Sequence, residues 1–211
     1  MAKNNAEEML KLSRLFDFVG LLDKFRSVER AIYVENTDRR ENDAEHSYNL
    51  AMLAWYIAEG NNLDLDRGLI LKYALVHDLV EAYAGDTFLF APNGENNHDN
   101  KADREKKAKE KLLANFSEFG DLREVINGYE KKETPESRFV YALDKIIPIF
   151  NVYNDNGRLW KEQKVTLEMI IDFKKDKVAM SPEIEPYFNE LIALLKENKK
   201  EVFWTEKAED G

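Results

Sequence analysis

Apolar residues recur at helical spacing in one segment after another, and this period constrains the fold more than any other feature of the sequence. Apolar side chains that are three and four residues apart form one face of a helix, whereas a strand alternates every two residues. The predicted helices cover about residues 6–25, 43–60, 65–84, 101–117, 120–131, 134–155, 164–179 and 182–199. No segment reads convincingly as a strand. The pattern therefore predicts an all-α protein, a single helical bundle of about seven to eight helices.

The 211 residues fit one domain over 1–211, with a core at about 8–195 and short tails. Residues 26–42 are polar and irregular, and they are predicted to form a loop before the second helix. Residues 86–100 form a second predicted loop, which is long and rich in asparagine; loops of this length are often functional lids. Residues 156–163 are a third predicted loop.

Composition limits the chemistry that the chain can perform. It has no cysteine, so it has neither disulfides nor thiolate metal sites, and a reducing compartment is expected. The formal net charge of -10 repels polyanions, which argues against binding to nucleic-acid polymers. The polar N-terminus and the lack of a long apolar run predict no signal peptide and no membrane span. The expected location is the cytoplasm.

One stretch, residues 74–86, combines an apolar start with several ionisable groups. His77 and Asp78 are adjacent, and Glu81 follows four residues after His77, so on a continuous helix these side chains reach the same region. Gly85 is expected to end this helix, with Asp86 at the edge of the following loop. An imidazole with carboxylates is ligand chemistry for a divalent metal, although a hydrogen-bonded core pair is the simpler alternative for His77 and Asp78 alone.

Two further residues turn this pair into a candidate metal site. His46 is one of only three histidines, and it lies on the apolar stripe of its predicted helix. Asp144 lies beside the apolar face of another helix, where a carboxylate is costly unless a cation or a metal pairs with it. His98, in the asparagine-rich loop, is expected to be exposed and not a ligand. Two nitrogens and two oxygens from His46, His77, Asp78 and Asp144 suit one divalent ion with open positions for water and substrate.

At these residues the sequence resembles the HD-domain metal-dependent phosphohydrolases, whose H…HD…D pattern is matched by His46, His77-Asp78 and Asp144. The segments Glu45-His46-Ser47 and 77–86 resemble the branch that contains the 5'-deoxynucleotidases. The resemblance covers roughly residues 8–195. It implies an all-helical fold that is commonly a homodimer, with a small nucleotide as substrate.

The resemblance also implies roles for individual residues. His46, His77, Asp78 and Asp144 would bind one divalent transition metal ion, which the mixed donor set leaves open among manganese, cobalt, iron, nickel and zinc. Glu81 would be the general acid/base, and Asp86 would contact the sugar or hold a metal-bound water. Arg30, or else Arg26, would bind the substrate phosphate through its guanidinium fork.

The predicted function is a metal-dependent phosphohydrolase that removes the 5'-phosphate from (deoxy)nucleoside monophosphates. Two alternatives stay open: another phosphodiesterase or a nucleoside triphosphate phosphohydrolase of the superfamily, and a non-catalytic helical domain that binds nucleotide or metal. The scarcity of histidines argues against the two-metal branch. One departure matters, since Ala31-Ile32 follow Arg30 where the deoxynucleotidase pattern has a tryptophan that helps to exclude a 2'-hydroxyl.

Overall fold

The computed structural model describes residues 10–85 and 98–204, and within them the fold is all-α with one small sheet. The helices are α1 Leu12–Arg26, α2 Asp43–Gly60, α3 Arg67–Val76, α4 Glu81–Ala84, α5 His98–Asn115, α6 Gly120–Lys131, α7 Pro135–Asn154, α8 Arg158–Glu162, α9 Leu167–Val178, α10 Glu185–Glu197 and α11 Lys199–Val202. The prediction of an all-α bundle is confirmed. The short helices α4, α8 and α11 were not predicted as separate elements, because four or five residues carry too little periodicity.

Local capping explains where several helices begin. The side chain of Asn42 accepts a hydrogen bond from the backbone N–H of Glu45, and the side chain of Glu45 accepts one from the backbone N–H of Asn42. These two bonds form a capping box at the start of α2. Thr134 caps α7 in the same way, with Pro135 in the first turn. Asp66 caps α3. These starts follow from the sequence, because Asn, Asp and Thr satisfy backbone N–H groups that the first turn leaves free.

The prediction of a loop over residues 26–42 is wrong. Strands β1 Glu29–Tyr33 and β2 Arg40–Asn42 pair antiparallel, with Glu29 opposite Asn42 and Tyr33 opposite Arg40. The guanidinium of Arg40 stacks 3.7 Å from the centre of the Tyr33 ring. Ile32 alone is buried in β1, so the sequence shows no alternating pattern. The hairpin depends on packing against α7 rather than on local propensity.

The predicted continuous helix over 65–84 is also interrupted. Helix α3 ends at Val76, and a turn follows before α4 begins at Glu81. Within this turn the N–H of Leu79 donates to the carbonyl of Val76, and the N–H of Glu81 donates to the carbonyl of Asp78. These bonds span three residues, as in a 3₁₀-helix, and not the four of an α-helix. Gly85 has φ of 76° and ends α4, as predicted.

Helix α7 is the centre of the molecule and continues through Pro148. Its buried face contacts α2, α3, α6 and α9, and the largest core cluster surrounds it. A second core cluster joins α1 to the segment around Leu79 and to α5 and α6. Buried aromatic residues also anchor the end of the described chain, since Trp160 stacks on Phe203 with ring centres 4.9 Å apart. In the described ranges, every helix is too short or too polar to cross a membrane.

Candidate metal centre

Three elements bring the four predicted metal ligands together. His46 projects from α2, His77 and Asp78 from the turn between α3 and α4, and Asp144 from α7. The Nε2 atom of His46 lies 3.0 Å from Oδ1 of Asp144, and the Nε2 atom of His77 lies 2.9 Å from Oδ2 of Asp78. His46, His77 and Asp144 each offer one ligand atom, and these three atoms lie within 4.8 Å of one another. These four residues are called the ligand cluster below.

The hydrogen bond of His77 tests whether the cluster fits a metal. Its Nδ1 atom donates to the carbonyl oxygen of Ala74 at 2.9 Å, because a carbonyl can only accept. Nε2 therefore carries the lone pair in the neutral imidazole, and it faces oxygens of Asp78 at 2.9 Å and Asp144 at 3.8 Å. Within the described residues this buried nitrogen has no hydrogen-bond partner. A nitrogen lone pair and carboxylate oxygens that face one another repel unless a cation binds them both. The ligand cluster therefore fits a metal ion.

His46 faces a carboxylate that was not predicted as a site residue. Its Nδ1 atom lies 3.5 Å from Oε2 of Glu41, a buried residue of β2. The other oxygen of Glu41 accepts hydrogen bonds from the side-chain amides of Asn49 and Asn151, at 3.3 and 3.4 Å. Such a carboxylate typically fixes the tautomer of a metal-binding histidine. Glu41 was missed because its position depends on the hairpin, which has no signal in the sequence.

Charge keeps the carboxylates of the cluster ionised. Burial favours the neutral acid, but Lys145, whose Nζ lies 2.5 Å from Oδ2, and His46 outweigh it and hold the pKa of Asp144 well below its ordinary value. Burial also opposes the charged form of His46, yet Asp144 and Glu41 raise the pKa of the metal-free imidazole to about 9. A metal would therefore have to displace a proton from His46 on binding.

The structure brings Arg30 to this cluster and leaves Arg26 outside it. The Nη1 atom of Arg30, on β1, lies 2.8 Å from Oδ2 of Asp78 and 3.0 Å from Oδ1 of Asp43. Arg26 is at the end of α1, where its side chain is 70% exposed and pairs with Asp23. The unpredicted hairpin is thus the element that brings Arg30 to the ligand cluster.

Glu81 is half-buried at the start of α4, beside the ligand cluster. One carboxylate oxygen each from Asp43, Asp78 and Glu81 lie within 4.8 Å of one another. Asp43 is fully buried and was not predicted as a site residue. Asp86 and residues 86–97 of the predicted loop at 86–100 lie outside the described residues, and so does the predicted exposure of His98. The prediction of a loop over 98–100 is wrong, because α5 already begins at His98.

This arrangement provides the chemistry of a hydrolytic metal site. Imidazole nitrogens with carboxylate oxygens suit transition metals better than magnesium. Such an ion, when bound, generates a hydroxide-like nucleophile near neutral pH and polarises a phosphoryl oxygen. The sequence model of the HD domain matches residues 22–185, a range that contains all four residues of the ligand cluster.

The chain belongs to the HD domain family. The resemblance drawn from the H…HD…D pattern is confirmed. This HD-domain protein is 25% identical over 198 residues to the 5'-deoxynucleotidase HDDC2 of Dictyostelium discoideum, an alignment covering 90% of the chain and 100% of the relative. It is 32% identical over 136 residues to the human 5'-deoxynucleotidase HDDC2, covering 62% of the chain and 63% of the relative. The chain thus spans somewhat less than two thirds of the human protein.

Solved structures support the same family. The fold matches the crystal structure of a predicted metal-dependent phosphohydrolase from Magnetospirillum magnetotacticum with a TM-score of 0.77 and 28% identity. The match covers 92% of this chain and 96% of the other. The shared fold therefore extends over nearly all of this chain.

Proposed function

We propose that this HD-domain protein is a metal-dependent phosphohydrolase that removes the 5'-phosphate from nucleoside and deoxynucleoside monophosphates. The observation that carries the proposal is the ligand cluster, in which Nε2 of His77 faces the carboxylates of Asp78 and Asp144. Arg30 and Glu81 stand beside these ligands, so a phosphate binder and an acid/base adjoin the metal position. The names of the relatives from Dictyostelium and human support the monophosphate substrate.

The proposed cofactor is one divalent transition metal ion per chain, held by the ligand cluster. A second ion would have to use the other acidic group, made of Asp43, Asp78 and Glu81. Arg30 donates to Asp43 and Asp78 from a single nitrogen, so its guanidinium already supplies the positive charge there. This pairing supports a single ion and argues against the two-metal branch.

The protein side chains have separate roles in the proposed reaction. Arg30 binds the phosphate through its guanidinium, which holds the phosphorus in line with the attacking water. Glu81 is the general acid/base that takes the proton of this water or returns one to the departing 5'-oxygen. Asp86 is proposed to contact the sugar. The negative charge that surrounds the site requires both the metal and Arg30 before a phosphate dianion can enter.

A panel of nucleotides tests this function against its alternatives. The protein loaded with manganese, cobalt, iron, nickel or zinc is incubated with mono-, di- and triphosphates, and released phosphate is detected with malachite green. We expect orthophosphate from the monophosphates. Release of pyrophosphate or triphosphate would instead indicate a triphosphohydrolase, and no turnover with any of the five metals would contradict an enzymatic role.

We further propose that the protein is a homodimer that works in the cytoplasm. The lack of cysteine supports a reducing compartment. Exposed apolar side chains on neighbouring helices support the dimer, because contiguous patches of this kind usually mark interfaces. They are Leu12, Leu15, Phe16, Val19 and Leu22 on α1, and Tyr48, Met52, Trp55 and Tyr56 on α2. Leu22 and Tyr48 line one shared groove.

Light scattering tests the proposed dimer. Trp55→Glu should give a monomer, since a charge would be buried in the interface. Met169→Glu is the matched control, because Met169 is also exposed but lies on α9, away from the patch. A monomeric parent protein would contradict the proposal.

A further inference from the structure

The ring of Tyr33 on β1 is held between two arginine side chains. The Cζ atoms of Arg40 and Arg158 each lie 3.7 Å from the centre of this ring. At that distance a guanidinium is in van der Waals contact with the ring above its centre, so the two groups occupy opposite faces. Arg40 begins β2, whereas Arg158 begins α8. The stack therefore joins both strands of the hairpin to a helix that is distant in the sequence.

Arg158 also binds the tip of the hairpin through its nitrogens. Its Nη1 atom lies 2.9 Å from Oδ1 of Asp38, and its Nη2 atom donates to the backbone carbonyl of Thr37. Its Nε atom donates to Oδ2 of Asp155 at 2.8 Å, and the other oxygen of Asp155 accepts a hydrogen bond from the backbone N–H of Asn36 at 3.3 Å. All three nitrogens of this guanidinium thus contact the hairpin tip or the residue that caps α7.

Strand β1 is irregular where it carries Arg30, because its register with β2 shifts between Glu29 and Tyr33. Irregularities of this kind leave backbone groups without partners in the sheet and change the direction of nearby side chains. The guanidinium of Arg40 donates to the carbonyl oxygen of Ala31, the residue next to Arg30. The side chain that stacks on Tyr33 therefore also holds the irregular part of β1.

The hairpin is attached at its other end as well, where the backbone N–H of Asp43 donates to the carbonyl of Val28 at 3.1 Å. A two-stranded sheet is only marginally stable by itself, so the position of β1 depends on these attachments. Arg30 lies between the two, with its Nη1 atom 2.8 Å from Oδ2 of Asp78. Loss of the attachment at the tip would therefore let this guanidinium shift relative to the ligand cluster.

We infer that Arg158 is a positioning residue for the proposed reaction, which acts through the stack on Tyr33 to hold Arg30 in place. The inference rests on the proposed function for the role of Arg30 as the phosphate binder. Arg158 itself does not bind the phosphate, since its nitrogens are engaged at the hairpin tip and its face covers a ring. A guanidinium suits this place because it can stack through its face and donate hydrogen bonds from its edge at the same time.

Calorimetric titration of the metal-loaded protein with inorganic phosphate tests the inference without turnover. Arg158→Ala should keep the metal and weaken phosphate binding about three- to tenfold, because Arg30 is no longer held in its binding position. Arg67→Ala is the matched control, with a side chain of similar exposure (35% against 28%) that also donates to backbone carbonyls. Arg67 begins α3, at the opposite end from His77, so its loss should leave phosphate binding unchanged.

A pair of substitutions at Tyr33 tests the stack separately. Tyr33→Phe removes only the hydroxyl that bonds to Glu162 and keeps the ring. It should bind phosphate within about twofold of the parent. Tyr33→Leu removes the aromatic face that both guanidinium groups contact, so it should weaken phosphate binding as Arg158→Ala does. This pair also keeps the inference testable if Arg158→Ala does not fold.

A double-mutant cycle separates positioning from a general loss of stability. Arg158→Ala should raise KM for dAMP about three- to tenfold in the parent, but it should have no further effect in a protein that already carries Arg30→Ala. The reason is that both substitutions remove the same contact with the phosphate. Effects that reach the site independently would multiply instead. Affinities for inorganic phosphate can be read in the same cycle.

Three results would overturn the inference. They are phosphate binding by Arg158→Ala at the strength of the parent, an equal loss in Arg67→Ala, or effects of Arg158→Ala and Arg30→Ala that multiply in the double variant. A protein that shows the expected changes in phosphate binding but hydrolyses no nucleotide would contradict the proposed function alone.

Discussion

The Nδ1 atom of His77 donates a hydrogen bond to the carbonyl oxygen of Ala74 at a distance of 2.9 Å. Helix α3 ends at Val76, so the carbonyl of Ala74 belongs to the last turn, whose carbonyls have no backbone donor within the helix. The side chain of His77 supplies that donor. This single hydrogen bond therefore satisfies a carbonyl at the end of α3 and orients the nitrogen that faces the metal position.

We expect His77→Ala to remove both the metal and the activity, because it deletes one of two imidazole ligands. Elemental analysis of the purified variant measures the metal directly. His98→Ala is the matched control, since it removes the third histidine of the sequence and should keep the metal. Full occupancy in His77→Ala would mean that the ligand assignment is wrong.

We expect Glu81→Ala to keep the metal and to lower kcat by about 10²-fold or more, which is the usual effect of losing a positioned acid or base. The measurement is kcat across a range of pH with metal content determined in parallel. If turnover stays near that of the parent at every pH, Glu81 has a structural role and Asp86 becomes the candidate.

Arg30→Ala should raise KM for a monophosphate and lower kcat/KM by about 10- to 100-fold, since charge-assisted hydrogen bonds contribute about 1.5–3 kcal/mol. Arg26→Ala is the control, because the structure places Arg26 on the surface with Asp23 as its partner. Loss of activity in Arg26→Ala with an unaffected Arg30→Ala would reverse the assignment.

The residues after Arg30 predict weak discrimination between sugars. Ile32 is buried in the core and Ala31 is small, so neither provides the bulk of the tryptophan in the deoxynucleotidase pattern. We expect kcat/KM for dAMP and AMP to differ by less than about tenfold, since one weakened steric contact contributes only about 1 kcal/mol. A strong deoxy preference would show that another residue excludes the 2'-hydroxyl.

Stability should depend on pH through Lys174. Burial and Lys145 lower its pKa from 10.5 to about 7, and the other charged groups around it are Asp144, Lys177 and Arg30. Between these values the unfolded chain binds more protons than the folded one, so stability rises with pH. Below pH 7, Lys174 is charged in the folded and the unfolded chain alike, so the cost of burying its charge lowers the stability of the folded protein in full.

Lys174→Met should therefore raise Tm at pH 7 and below, by about 2–4 °C for each kcal/mol removed, and the gain should disappear as the pH approaches 10.5. Thermal melts of the metal-loaded parent and variant across this range measure the effect. Lys175→Met should show no such dependence, because Lys175 is exposed. A gain in Tm that is the same at every pH would contradict the role of charge.

The helices and the ligand cluster were predictable because both leave local signals. Periodic apolar residues mark the helices, and the scarcity of histidine directs attention to His46 and His77. Glu41 leaves no such signal, because it reaches the site through the hairpin. The break after Val76 was missed for a related reason. A helical pattern does not reveal where side-chain contacts tighten the backbone into a turn.

Burial of the ligand cluster also affects how quickly its ion could exchange with solvent. The side chains of His46, His77 and Asp144 are 0%, 1% and 6% exposed, whereas Asp78 is 21% exposed. Within the described residues, the side of Asp78 is thus the open approach. An ion would then enter and leave past Asp78, beside the segment that connects α3 and α4. A chelator would have to reach the ion from this one side, so a small chelator should remove the ion faster than a bulky one.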